Sequence, residues 1–249
     1  MPDFDFIIIG AGPSGLASGI RLAHFGKRVC LLERQARVGG LNTTFRRDGQ
    51  WVDAGLHALT NFADRHERRA PLNRLLRQLR VSRDDLDMEP QQRSFVCHGD
   101  DKLLFGNDIS LLRQQVVALF PAEADGFDRL ISHILDTDCY QLTSHPYRDA
   151  REVLAAFLAE PELIDMLLCP VMFYGNPECK TMDFMLFCML FRSIFVEGFW
   201  RPAGGMHAFW EVFQARFEES GGDLRCGCWV TNAMRDTDTW QVTTSTGEM

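Results

Sequence analysis

The 249-residue sequence predicts an α/β fold: a parallel sheet with a dinucleotide-binding turn, interrupted by a largely helical insertion. Two observations carry this. Residues 3–40 string together an apolar strand, a glycine-rich turn, a helix, a second strand and a terminal carboxylate. From residue 67 to residue 196, in contrast, most of the patterning has helical period.

Residues 4–9 form a short β-branched run of the kind buried in a parallel sheet, and they lead directly into GAGPSG. Each glycine of that turn has a task. Gly10 permits the tight turn, Gly12 lets the backbone approach a pyrophosphate with no Cβ in the way, and Gly15 lets helix and strand pack closely. Pro13 and Ser14 open a helix over residues 14–25, with Leu16, Ile20 and Ala23 on its apolar face and Gly26 where it ends. The unpaired N–H groups and the positive dipole end at its start make an anion site that needs no basic side chain. Residues 28–32 supply the second strand. Glu33 closes it, 18 positions beyond Gly15 (33 − 15), where a carboxylate accepts hydrogen bonds from ribose hydroxyls. The whole is a Rossmann-like unit, and its expected cofactor contacts are Gly10, Gly12, Pro13, Ser14, Gly15 and Glu33.

Arg34 to Gly40, RQARVGG, followed by Leu41, Asn42 and Thr43, resembles the ExxxRxGG run of the FAD-dependent amine oxidase and phytoene desaturase superfamily. The resemblance implies a glutathione-reductase-type fold and FAD as cofactor, with Arg34, Gly39, Gly40 and Leu41 added to its contacts. Asp48-Gly49 then signals a hairpin between residues 44–47 and 50–54. The segment with Asp53, Gly55 and His57 is similar to the DxGxH-like segment of the phytoene desaturase and carotenoid isomerase branch. There it lies near the flavin, so Gly55 and His57 join the expected site, while Asp53 is expected to brace the hairpin. Residues 199–236 resemble the family's PxGGM motif, its helix, a glycine turn, a third strand and a strand whose valine contacts adenine, here Val230.

The resemblance therefore divides the chain into an FAD-binding domain of residues 1–62 and 200–249, and a mostly helical substrate or insert domain of residues 63–199. It implies an FAD-dependent oxidoreductase, desaturase- or isomerase-like, acting on an apolar polyene or isoprenoid-like substrate. Three alternatives stand beside it. One is a non-catalytic FAD- or prenyl-binding module, as in Rab GDP-dissociation inhibitors, although a protein without FAD has no need of Glu33 and ExxxRxGG. An NAD(P) dehydrogenase has no need of the segment from Arg37 to Gly40 or of the hairpin after it. Amine or porphyrinogen oxidation stays open within the flavin reading.

The insertion reads as a helix over residues 67–80 with Leu75, Leu76 and Leu79 on its apolar face and its arginines in solvent. A hairpin over residues 93–105 follows, and then a helix capped by Asn107 or Asp108 and running to residue 120. Further helices are expected near residues 121–140, 151–158 and 182–196. The last is apolar almost all round, yet Arg192 interrupts it short of the roughly 20 residues that span a bilayer. It is expected as a core helix, with the wall of a hydrocarbon tunnel or a peripheral membrane contact as the functional reading. His24 is expected to be a surface or packing residue. Tyr174 and Cys179 are candidates to face substrate, and no catalytic residue emerges.

A net charge of −8 without a basic run excludes nucleic acid as the expected partner. The eight cysteines are scattered, and Cys226 and Cys228 read as strand alternation rather than a metal site. With an acidic amino end and no signal peptide pattern, a cytoplasmic setting, with membrane association at most peripheral, is expected. The resemblance also implies later strands and a flavin-ring motif that this sequence does not carry. Residues 4–9 would then form a sheet edge, and the expectation is a truncated or split enzyme whose fold a second chain completes.

Overall fold

The computed structural model describes residues 3–55, 57–139, 145–173, 181–245 and 247–248. In chain order its elements are β1 (Phe6–Ile9), α1 (Pro13–His24), β2 (Val29–Glu33), β3 (Thr44–Arg47), β4 (Gln50–Asp53), α2 (Pro71–Leu79) and β5 (Met88–Pro90). Then come β6 (Ser94–His98), β7 (Asp101–Phe105), α3 (Ile109–Leu119), α4 (Ala124–Asp136), α5 (Ala150–Ala155), α6 (Pro161–Met172) and α7 (Phe184–Phe191). The chain closes with β8 (Trp200–Pro202), α8 (Met206–Glu219), β9 (Asp223–Cys226), β10 (Val230–Asp236), β11 (Thr239–Thr244) and β12 (Gly247–Glu248). They fall into two compact units, residues 1–59, 64–89 and 201–249, and residues 60–63 and 90–200.

The first unit holds a parallel sheet in the order β1-β2-β9, with Ile7 beside Cys30 and Leu31 beside Leu224. Every residue of β2 is buried, as befits a central strand of apolar residues. Among the described residues β1 pairs only with β2, so it is an edge, and Ile9 is 60% exposed. Helix α1 buries Leu16, Ile20 and Ala23, the face its spacing predicts, and Gly19 with them. Phe217 of α8 explains Gly19: a Cβ there would lie 2.8 Å from the Phe217 ring, and one on Gly222 would lie 2.2 Å from it. The fully buried Phe217 thus fills the space that two absent side chains leave open. Strands β10, β11 and β12 form an antiparallel sheet, and Val242 and Cys228 pack with Cys30 and Leu32 in one small core.

Two expectations for this unit need correction. The helix placed at residues 67–80 begins at Pro71, whose fixed φ and missing N–H suit a first helical position. Leu75 is 39% exposed, while Asn73 is buried among backbone acceptors: its Nδ2 donates to the carbonyls of Asp64 (2.8 Å) and Glu67 (3.1 Å). The boundary drawn at residue 62 also moves. Residues 64–89 belong to the first unit because α2 packs on α1, where Arg21 donates to the Gln78 carbonyl, and because Arg216 of α8 donates to that of Leu79.

The second unit packs α3 to α7 and the β6–β7 hairpin around one core. Asp108, rather than Asn107, caps α3 by accepting from the Ser110 N–H at 2.9 Å. Asn107 instead exchanges two hydrogen bonds with the Phe199 backbone, at 3.0 and 2.9 Å. Helix α6 is absent from the sequence expectations. Pro161 opens it, and Pro170 near its end removes one donor without breaking it. The apolar helix expected at residues 182–196 is α7 followed by a π-turn, Arg192–Val196. Phe184, Phe187, Phe191 and Phe195 are all fully buried, with successive centroids 6.1, 5.5 and 4.7 Å apart. The Arg192 guanidinium donates to the carbonyls of Ile134, Leu135 and Thr137, satisfying the end of α4. The segment is thus core in this unit, and no helix among the described residues is long and apolar enough to cross a membrane.

Candidate functional site

The glycine turn lies at the carboxyl end of β1. Gly10 takes φ +102°, with no atom within 4 Å of where a Cβ would stand, and its N–H donates to the Leu32 carbonyl at 2.7 Å. A Cβ on Gly15 would stand 2.0 Å from the Gly10 carbonyl oxygen, so only glycine lets α1 start this close to β1. Pro13 is the first residue of α1, which no side chain caps and whose first turn carries no acidic residue. Ser14 is exposed beside it. A helix start with no side-chain cap and no acidic residue in its first turn is suited to an anion.

The second glycine pair closes on the first. Gly39 and Gly40 adopt φ +113° and +59°, and the Gly39 N–H donates to the Ala11 carbonyl at 2.8 Å. A Cβ on Gly12 would lie 3.7 Å from the Gly40 Cα, and one on Gly40 would lie 3.1 Å from the Gly12 Cα. Two stretches of bare backbone therefore face each other. Gly55 serves the same end: a Cβ there would stand 2.4 Å from the Leu41 carbonyl oxygen. The Leu41 side chain is 93% exposed. Arg34 is exposed as well.

Glu33 is 5% exposed, and its carboxylate ties the turns together. Oε2 accepts from the Ala11 N–H and Oε1 from the Gln35 N–H, both at 2.8 Å. Each oxygen keeps a further acceptor direction, so the group retains capacity for ribose hydroxyls. The loop after β9 is fixed to the same place, where the Cys228 N–H donates to the Glu33 carbonyl at 2.9 Å. Val230 follows at the start of β10, half-buried against the small core of Cys30 and Leu32. The fold thus gathers Gly10, Gly12, Pro13, Ser14, Gly15, Glu33, Gly39 and Gly40 around one end of the sheet. His57 is exposed. Tyr174 and Cys179 lie outside the described residues.

Trp210, and the reach of Asp53 beyond its own hairpin, were not read from the sequence. Trp210 of α8 donates from Nε1 to the Asn42 carbonyl at 2.7 Å and backs Gly39, whose Cβ would lie 3.1 Å from its ring. Asp53 is expected to brace its own hairpin, but its carboxylate reaches further. Oδ1 accepts from the Met206 N–H at the start of α8 (3.3 Å), and Oδ2 lies 2.9 Å from Arg201 Nη2. The signal for Asp53 was the GGM motif, because the N–H groups at the helix start after it need an acceptor. His207 stacks on Trp51 at 4.2 Å, with the Arg37 and Arg46 guanidinium groups 4.5 and 4.7 Å from the same ring. A cavity of about 460 Å³ opens beside this stack, lined by Arg37, His207, Trp210, Glu211 and Glu218. None of the first three glycines lines it, so it is separate from the cradle. Beneath the cradle, burial and then the Asp223 charge push the Cys30 thiol up to about 11, which keeps it protonated and unreactive near neutral pH.

Residues 13–249 match the model of a protein family described as flavin containing amine oxidoreductase. Prolycopene isomerase 2, chloroplastic, of an Oncidium hybrid cultivar is 27% identical over 186 residues, covering 74% of this chain and 29% of that protein. The lycopene-forming phytoene desaturase of Pantoea ananas is 25% identical over 241 residues, covering 87% of this chain and 47% of that protein. Among solved structures, a Rab GDI from Plasmodium falciparum superposes with a TM-score of 0.62 at 17% identity, over 98% of this chain and 63% of that one. At that identity the likeness is one of fold. The chain spans less than half the length of these two curated relatives.

Proposed function

Since the chain belongs to the flavin containing amine oxidoreductase family, with FAD as its cofactor, we propose that it forms the part of a desaturase- or isomerase-like oxidoreductase that grips the adenosine diphosphate of FAD. The observation that carries this is the apposition of Gly12 and Gly40 over the uncapped start of α1, where backbone alone can surround a diphosphate. The Ser14 and Gly15 N–H groups and the α1 dipole would neutralise its charge. Glu33 would accept from the ribose while holding Ala11 and Gln35 in place, and Val230 would flank the adenine. Arg34 and Leu41 would cover the cofactor from the open side, and His57 would face the flavin end.

When bound, FAD supplies the capacity to take a hydride or electrons from carbon. This chain contributes grip and exclusion of water. We assign the substrate to the apolar polyene or isoprenoid class, in keeping with what the named isomerase and desaturase relatives act on.

The test is titration of the purified chain with FAD, followed by flavin fluorescence and visible absorbance. Saturable uptake by the natural chain and its loss in Gly12→Leu are expected, because the leucine side chain would fill the space between the two glycine turns. Failure of the natural chain to take up FAD would overturn the reading for this segment. Anaerobic mixing of the FAD-loaded protein with a polyene and with a diamine separates the substrate classes. Bleaching by the polyene is expected, and bleaching by the amine alone would move the assignment to amine oxidation.

A further inference from the structure

The flavin reading leaves unused the segment before and along α2. Seven arginines lie between residues 65 and 83 of a chain whose net charge is −8. They do not form a featureless solvated face. Arg65, His66, Arg68, Arg77 and Arg83 line a concavity of about 390 Å³ together with Asn73 and Asp84.

The way these guanidinium groups are held distinguishes the concavity from an ordinary charged surface. Asp84, the one carboxylate lining it, is engaged by Arg65 at 3.1 Å. Arg77 Nη2 is held by a neutral acceptor, the Arg68 carbonyl, at 2.6 Å. Arg83 Nη1 donates to Oδ1 of Asn73, which is buried and anchored by its Nδ2 to the carbonyls of Asp64 and Glu67. Arg68 and Arg77 have no carboxylate partner among the described residues. Neutral acceptors orient a guanidinium without cancelling its charge, and the field of such a cluster stays positive. Burial and then the Arg65 charge hold Arg83 below its usual range, while the Asp64 and Asp84 carboxylates act on it in the opposite direction.

The geometry points to a second anion site, distinct from the cofactor cradle, in which Arg68 and Arg77 receive a phosphate group. Guanidinium forks match phosphate oxygens in pairs, and an incoming dianion would give Arg68 and Arg77 the charged partner that no described carboxylate supplies. The phosphate belongs either to a soluble ester or to a phospholipid headgroup, and the shared chemistry is the same.

The experiment uses the FAD-loaded chain, so that the cradle is filled, and reads inorganic phosphate binding by calorimetry and ³¹P line broadening at constant ionic strength. Saturable binding is expected, weakened about tenfold in Arg68→Gln and again in Arg77→Gln, one charge-assisted hydrogen bond each. Arg68 makes no side-chain hydrogen bond or ion pair among the described residues, so its replacement leaves the structure in place, and unchanged flavin absorbance and far-ultraviolet circular dichroism check this. Flotation with vesicles of phosphatidate or of phosphatidylcholine assigns the source. Capture by phosphatidate that Arg68→Gln releases identifies a headgroup, and binding of free phosphate without capture identifies a soluble ester. Absence of any phosphate binding, or binding that both variants retain, overturns the proposal.

Discussion

At the residue scale, glycine positions and buried charges follow from different kinds of information. The demand for glycine at 10, 12 and 15 is legible from the sequence because a φ of +102°, a bare approach and a 2.0 Å clash are local requirements of one turn. Asp53, Trp210 and His207 are not legible in that way, since their partners lie 168 positions away or at comparable separations. His24 gives a pH test at this scale. Burial first, then the charges of Arg80, Arg216 and Arg21, disfavour its protonated form in the fold. Its folded value therefore lies below the unfolded value of about 6.5. The stability that comes from keeping it neutral is complete above that pH and is lost as pH falls from there through the folded value. In a proton NMR titration, Arg80→Gln should move the His24 midpoint upward, and an unmoved midpoint would remove Arg80 from the account.

At the element scale, the sequence locates most elements to within a few residues and is weakest where packing overrides local pattern. The Asp48-Gly49 turn and the strands beside it occur where their residue types place them, with φ of +51° and +79°. Helix α2 begins later than its leucine spacing implies because Pro71 fixes the start, and the buried Asn73 pulls the preceding loop inward. The π-turn after α7 has no sequence signature. It occurs where Arg192 reaches three carbonyls of a different helix. The packing of α8 on α1 rests on Phe217 between Gly19 and Gly222, so Phe217→Ala would empty a fully buried site. A loss of about 3–5 kcal/mol is expected. Urea unfolding would read this as a lower midpoint with an unchanged slope, and a loss below about 1 kcal/mol would mean that α8 closes onto α1 without the ring.

At the scale of the whole molecule, the parallel sheet presents β1 as an edge, with Phe6 43% and Ile9 60% exposed. An exposed apolar edge offers unpaired N–H and C=O groups to another strand. The chain on its own is therefore expected to self-associate with rising concentration, and Phe6→Lys should reduce that association by placing a charge on the edge. Sedimentation velocity over a concentration series checks this, and a natural chain that stays monomeric throughout would contradict it. The second unit differs in kind. Its phenylalanine ladder is fully buried within the unit itself, so that apolar segment is occupied in packing.

The sequence by itself determined the family, the cofactor and the glycine turn proposed to meet a diphosphate, because these depend on residues close together in the chain whose backbone conformations are dictated by glycine and proline. Only the tertiary structure decided that Glu33 holds the backbone of Ala11 and Gln35 together, that Asp53 and Trp210 tie α8 to the β3–β4 hairpin and to the loop of Gly39 and Asn42, and that residues 64–89 belong to the unit that holds the sheet. Those facts arise from contacts between segments distant in sequence, where burial and hydrogen-bond satisfaction select the partner and no local pattern announces it. The arginines around α2 lie between the two cases. Their number is plain in the sequence, but their convergence on one concavity depends on a buried asparagine whose partners only the fold supplies.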